Sequence, residues 1–307
     1  MKSELVSIVL PTYKGSDVLE RAINSVLLQT YPQIEIIVVD DNSPESEERK
    51  ATEIVMSQYE TSDNIAYIKH EKNKNGAAAR NTGIKSSHGE YIAFLDDDDW
   101  FLSRKIEEQV KYLDQHKEFD ACYCLSQFDG KPIETVPYIG DVSKELLLLK
   151  SNMQTSCLVF RKGALTAING FDESFRRHQD YELLLRFFQA GFKIGCVEKV
   201  LVARGIGAAN NLPNADRFLD LKVFFLKSFE PTIALLDKAE PGFKKKTYAL
   251  HYGTVFVQFV TEQQLGKALK LASKYFFYSP KYFMSPMCFK IKGFVNRRVN
   301  RLFKLTR

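Results

Sequence analysis

Apolar residues follow two rhythms along this chain. Short, largely apolar runs at 5–10 (LVSIVL), 34–39 and 91–95 have the pattern of strands buried on both faces, and a further strand is expected near 65–70. Between them the spacing lengthens to that of helices. Val18, Ala22, Ile23, Val26 and Leu27 form one apolar face, opened by Asp17 and Glu20 in capping-box spacing and closed before Pro32. Further helices are predicted over 45–59 and 77–86. Strand, helix, strand at this spacing makes right-handed parallel βαβ units, so the first third reads as a doubly wound, mostly parallel α/β sheet. Pro11 is expected to stop the first strand.

Such sheets bind ligands at the carboxyl ends of their strands. Here those ends are acidic: Asp40 and Asp41 after the second run, then Asp96, Asp97, Asp98 and Asp99 after the fourth. Two bare carboxylates about 5 Å apart repel by about 3 kcal/mol at an effective dielectric near 20. A cation relieves this, and carboxylate oxygens suit Mg²⁺ or Mn²⁺ shared with a substrate's phosphates. A solvated acidic turn capping a helix from near Ser103 explains the same residues without an ion. Between the two edges, NKNGAAARNTGI at 73–84 runs from a Gly and Asn loop into a helix carrying Arg80, which suits a phosphate or an acidic neighbour. Further on, Asp180 precedes the stripe Tyr181, Leu184, Leu185 and Phe188, and a helix cap accounts for it on residues alone.

Taken in order, SIVLPTYKG, LLQTYPQIEIIVVDDNSP, NGAAARNTGI, GEYIAFLDDDDW and NGFDESFRRHQDYELLLR resemble the inverting glycosyltransferases of family 2, of the bacterial polysaccharide type, over about residues 4 to 205. The resemblance implies the GT-A fold, a nucleotide-sugar donor (a UDP-sugar as first candidate), a divalent cation, Mn²⁺ or Mg²⁺, on a D-x-D motif, and a carboxylate base. Carried onto this chain, it puts Pro11, Thr12 and Tyr13 under the nucleotide. Asp41 reads the base edge, with Asp40 the less secure candidate, and Arg80, Asp97 and Arg204 also lie on the donor side. The ion falls to Asp96 and Asp98 with Asp99 beside them, and the base to Asp180, next to Gln179. Thr155 and Ser156 are open between an acceptor contact and a strand-edge role. Where many relatives carry a histidine after the last strand, this chain reads ARGIGAANNLPN.

Composition adds limits. At 307 residues and 45% hydrophobic the chain can bury a full core, and the division expected is a catalytic domain over 1–215 and a helical, basic region over 216–307. Five cysteines without a Cys-x-x-Cys pair suggest reduced thiols in the cytoplasm, and no apolar run is long enough to span a membrane. After Glu262 there are eleven basic residues and no acidic one, so of the net +5 the remainder carries 5 − 11 = −6. In 289–305, Ile291, Phe294, Val295, Val299 and Leu302 share a helical side away from most of the charges, an interfacial pattern that predicts peripheral contact with the inner face of the cell membrane near a glycan or lipid-linked acceptor. Two other classes fit parts of the sequence. A nucleotide-binding scaffold without catalysis does not need Asp180. A nucleic-acid-binding protein explains the basic tail, but its phosphates would meet the acidic edge, so no nucleic-acid partner is expected.

Overall fold

The computed structural model describes residues 4–133, 135–151, 153–205 and 213–288. The chain forms two compact units, Met1–Asn210 and Asn211–Arg307.

The first unit begins with β1 (Val6–Thr12), α1 (Ser16–Leu27), β2 (Ile34–Asp40), α2 (Glu47–Ser57), β3 (Ile65–Lys69), α3 (Gly76–Ser86) and β4 (Tyr91–Phe94). These four strands are parallel, in the order β3-β2-β1-β4. β1 and β4 are buried along almost their whole length, which is why their sequences are continuously apolar. The chain continues through β5 (Trp100–Phe101), α4 (Lys105–Gln115), β6 (Ala121–Phe128), β7 (Lys131–Pro132), α5 (Ser143–Leu147), β8 (Leu158–Arg161), α6 (Lys162–Ala167), α7 (Gln179–Gln189) and β9 (Ile194–Arg204). Here the sheet is mixed. β8 lies antiparallel between β4 and β6, β9 runs parallel to β6, and β5 returns antiparallel on β9. Two reversals across β8 bring the carboxyl end of β9 to the same edge as that of β4.

Three local expectations are revised. β1 runs through Pro11 to Thr12, paired to β2 as Pro11↔Val39, because β4 has already ended opposite Val9 and no neighbour on that side needs a proline N–H. The capping box at Asp17 and Glu20 is not made. Helix α1 starts from Gly15 without a side-chain cap, since the Asp97 carboxylate lies where a Cβ on residue 15 would stand. The helix after the four aspartates starts behind Arg104, with none of the aspartates as its cap.

The second unit is helical: α8 (Ala215–Ser228), α9 (Glu230–Ala239), α10 (Phe243–Thr261), α11 (Leu265–Tyr275) and a further helical stretch over 280–288. Its core is aromatic. Phe225 stacks on His251 at 5.5 Å and Tyr252 on Tyr275 at 3.8 Å, while Gly253 lets the backbone of Phe283 come close enough to exclude any side chain there. Among the described residues no helix is long and apolar enough to cross a membrane. The interfacial segment 289–305 lies outside the described residues.

Candidate functional site

Four chain ends converge at the carboxyl edge: Thr12 of β1, Asp40 of β2, the aspartates after β4 and Arg204 of β9. Each aspartate after β4 has a different task. Asp97 turns back to β1, where its Oδ2 accepts from Thr12 Oγ1 at 2.8 Å and from the Tyr13 N–H at 3.3 Å. Asp99 is buried and accepts from Ser156 Oγ at 2.7 Å and from the Gly205 N–H at 3.1 Å, tying β9 to the cluster. Ser156 also accepts from the Asp96 N–H at 3.1 Å, so one hydroxyl fixes both ends of the acidic turn. Asp96 pairs with Arg80 at 2.5 Å. That leaves Asp98. Its backbone carbonyl takes Arg21 Nη2 at 2.6 Å, and its carboxylate is held by its own backbone N–H, with Arg204 and Arg21 near enough to act on its charge.

The cluster's charge is under tension. Burial pushes Asp97 up to about 7, with Asp98 and Asp96 adding to the rise against the Thr12 hydrogen bond. Burial also lifts Asp99 to about 7, with Asp96 next in effect. Asp98 is raised as well, first by burial and then by Asp96, while Arg204 and Arg21 act against the shift. Asp96 and Asp98 offer hard oxygens at this edge, and two carboxylates completed by phosphate oxygens suit Mg²⁺ or Mn²⁺. Asp99, with both oxygens engaged, is a support for this pair.

Arg80 joins the acidic turn to a motif 99 positions beyond itself. From α3 its Nη2 reaches Asp96 and its Nη1 donates to Gln179 Oε1 at 2.8 Å, while the guanidinium packs over Phe171 at 5.5 Å. Gly76 permits this, because a Cβ there would press on both Arg80 and Gln179. Asn75, at φ 91, caps α3 by accepting from the N–H groups of Ala77 and Ala78, and its amide donates to the Glu173 carbonyl. Asn81 exchanges hydrogen bonds with the backbone of Phe171, so α3 holds the segment leading into α7.

Asp180 is not the cap of α7. His178, in the left-handed region at φ 58, occupies that position. The Asp180 carboxylate accepts from the Tyr181 N–H at 2.9 Å. Burial pushes it up to about 6, opposed by the same Tyr181 N–H and by Arg80, with Asp96 raising it further. Behind it Glu182 pairs with Arg186, whose guanidinium also donates to the Ile168 and Gly170 carbonyls at 2.5 Å each.

Asp40 and Asp41 face inward. Asp40 is 0% exposed, forms an ion pair with Arg49 at 2.9 Å, and accepts from the Tyr67 hydroxyl at 2.6 Å and the Asn42 N–H at 2.8 Å. Asp41, 2% exposed, has His70 Nδ1 and the Lys74 N–H at Oδ1, each at 2.8 Å, and Asn73 Nδ2 and the Asn75 N–H at Oδ2. That fills the roughly four acceptor positions of a carboxylate. Both therefore hold the loop that precedes α3. Tyr13, 47% exposed, presents its ring outward from the end of β1. Arg21 and His70 were not assigned from sequence; nothing in their local pattern separates them from any surface arginine or core histidine, whereas Ser156, open there between an acceptor contact and a strand-edge role, bonds Asp99 and the Asp96 N–H.

With this geometry in place, the chain matches the model of Glycosyl transferase family 2 over residues 7–168. It belongs to glycosyl transferase family 2. The amylovoran biosynthesis glycosyltransferase AmsB of Erwinia amylovora is 27% identical to it over 248 residues, covering 77% of this chain and 81% of that one. Two solved structures share the fold at 15% identity. The mannosyltransferase PcManGT of Pyrobaculum calidifontis, in complex with GDP-Man and Mn²⁺, superposes with a TM-score of 0.60 over 92% of this chain and 84% of that chain. TarS 1-349 of S. aureus, in complex with UDP-GlcNAc, does so with a TM-score of 0.56 over 94% and 92%. The mixed sheet with its helical carboxyl-terminal region is thus a GT-A-like family 2 architecture, and the sugar-transferring activity of the family comes with it.

Proposed function

We propose that this family 2 enzyme transfers a sugar from a nucleotide-diphosphate donor, a UDP-sugar first among them, to an acceptor hydroxyl with inversion, in the synthesis of a cell-surface polysaccharide. The observation that carries this reading is Arg80, one guanidinium shared between the acidic turn at Asp96 and the Gln179-Asp180 motif. The base and the donor-side carboxylates are set by one rigid helix, which is what a single displacement needs.

In this reading the donor lies along the carboxyl edge, its base against Tyr13 and the Pro11 and Thr12 turn, its diphosphate toward Arg204 and Arg80. Asp40 and Asp41 fix the shape of the loop that receives the base. Asp180 takes the proton from the acceptor hydroxyl as that oxygen bonds to the anomeric carbon and the nucleotide diphosphate departs from the opposite face. A carboxylate raised to about 6 is still ionised at neutral pH and is a stronger base than an ordinary aspartate. Asp98 and Asp96 are the residues that would hold Mn²⁺ or Mg²⁺, which supplies positive charge beside the leaving diphosphate. A location at the inner membrane face, reached through the basic tail, is part of the same proposal.

The test is a donor screen following nucleotide diphosphate release from UDP-, GDP- and dTDP-sugars with Mn²⁺, in the wild type and in Asp98→Ala. Acceptor-dependent release from one donor class, abolished by chelator and lost in Asp98→Ala, is expected. Full turnover in excess chelator would remove the ion from the reading, and no release from any donor would remove the reaction.

A further inference from the structure

Outside the carboxylate edge, a cavity of about 620 Å³ lies between the exposed face of α1 and the segment 100–103. Asp17, Glu20, Arg21 and Asn24 line one wall, spaced so that they share a helix face, and Trp100 and Ser103 line the other. The Arg21 guanidinium lies 4.1 Å from the Trp100 ring, and its Nη2 donates to the Asp98 carbonyl at 2.6 Å, so the cavity wall is continuous with the acidic turn. The roles assigned to the site leave Asp17, Glu20 and Asn24 unused.

We propose that this cavity is a carbohydrate subsite that holds a neutral glycan arm of the acceptor. The volume is within the range of small-molecule sites. Carboxylate, amide, guanidinium and hydroxyl groups together give donors and acceptors for vicinal sugar hydroxyls, and Leu28 and Leu102, beside the indole that Arg21 covers, supply an apolar surface for the C–H side of a pyranose ring. Two carboxylates against one guanidinium leave the wall formally at −1, which disfavours phosphates and uronates. The proposal rests on the sugar-transfer reading for its biological sense, but the binding it requires is independent of turnover.

Trp100 is the single tryptophan of the chain, so its fluorescence reports on this cavity without labelling. The full-length protein is titrated, without nucleotide, with cellobiose, maltose and N,N′-diacetylchitobiose, and separately with UDP and glucuronic acid. A saturable change in Trp100 emission is expected with at least one neutral disaccharide, weakened at least tenfold in Asp17→Ala/Asn24→Ala and retained in Asp180→Asn. Donor hydrolysis by water in the double variant should match the wild type. No response to any of the three disaccharides, a response undiminished in the double variant, or an equal response to glucuronic acid overturns the subsite. Disaccharide binding that behaves as expected, in a protein that turns over no nucleotide-sugar, would leave the subsite standing while the proposed reaction fails.

Discussion

Asp180, half-buried, and Lys105, fully buried, are both ionisable groups shifted by burial, with opposite consequences. Replacing Asp180 with Asn keeps size and the contact with the Tyr181 N–H region while removing the proton acceptor, so transfer should fall by about 10² to 10⁴ with donor affinity little changed. In the wild type the acid limb of the rate profile should rise through about pH 6, where Asp180 ionises. The same shift has a stability sign. The folded-state value lies above the ordinary 3.8, so ionisation disfavours the fold, fully above about pH 6 and not at all well below pH 4. Asp180→Asn should therefore melt higher than the wild type at pH 7 and match it near pH 3.5 in paired thermal scans; a lower melting temperature at pH 7 would contradict this account. Lys105 is 0% exposed, its ammonium 4.2 Å from the Phe101 ring, with no hydrogen-bond partner among the described residues, and burial lowers its value. Lys105→Met removes an unsatisfied polar group and fills the same space. It should stabilise by about 1–3 kcal/mol in denaturant titrations, whereas destabilisation would mean the amine has an essential buried partner.

Among the elements, α3 has the tightest placement. Gly83 sits against Val9 of β1, and a Cβ there would run into both of the valine's methyl groups. Alanine in an exposed helix gains about 1 kcal/mol over glycine, but overpacking a core contact costs about 1–3 kcal/mol, so the clash should win. Gly83→Ala is expected to lower stability. Because α3 carries Arg80, it should also raise the KM for donor by more than it lowers kcat. A stability gain with unchanged KM would show that α3 can shift without disturbing the site. The α7 segment depends on α3 through Asn75, Asn81 and Arg80 together, so changes in one helix are expected to appear in the pH profile of the other.

At the scale of the whole molecule, charge is divided more sharply than composition suggests: eleven basic residues follow Glu262 and the rest of the chain carries −6. Anionic lipid attracts a nearby Lys or Arg by about 1 kcal/mol each, so half of these charges could hold the chain on a membrane reversibly. Full-length protein should sediment with anionic vesicles, less so as salt rises, and removal of 286–307 should abolish it. Equal sedimentation of the truncated protein would place the contact elsewhere.

The sequence by itself determined the parallel half of the sheet. Buried parallel strands must be apolar on both faces, and 5–10, 34–39 and 91–95 have no other way to be satisfied. It also marked the acidic carboxyl edge, since clustered carboxylates at strand ends are conspicuous in one dimension, and the ordered motifs gave the family. Tertiary structure alone decided what each carboxylate does. Asp96, Asp97, Asp98 and Asp99 are equivalent in the string, yet one meets Arg80, one turns to Thr12, one is closed by Ser156 and Gly205, and one is held by its own backbone N–H beside Arg21 and Arg204. Asp40 and Asp41 are adjacent in the string, yet one meets Arg49 and Tyr67 and the other His70 and the 73–75 loop. Hydrogen-bond partners from 16 to 106 positions away leave no local trace, because periodicity records only which face is buried. The mixed half of the sheet was hidden for the same reason: β8 and β9 pair by long-range reversal, which no short run of residues encodes.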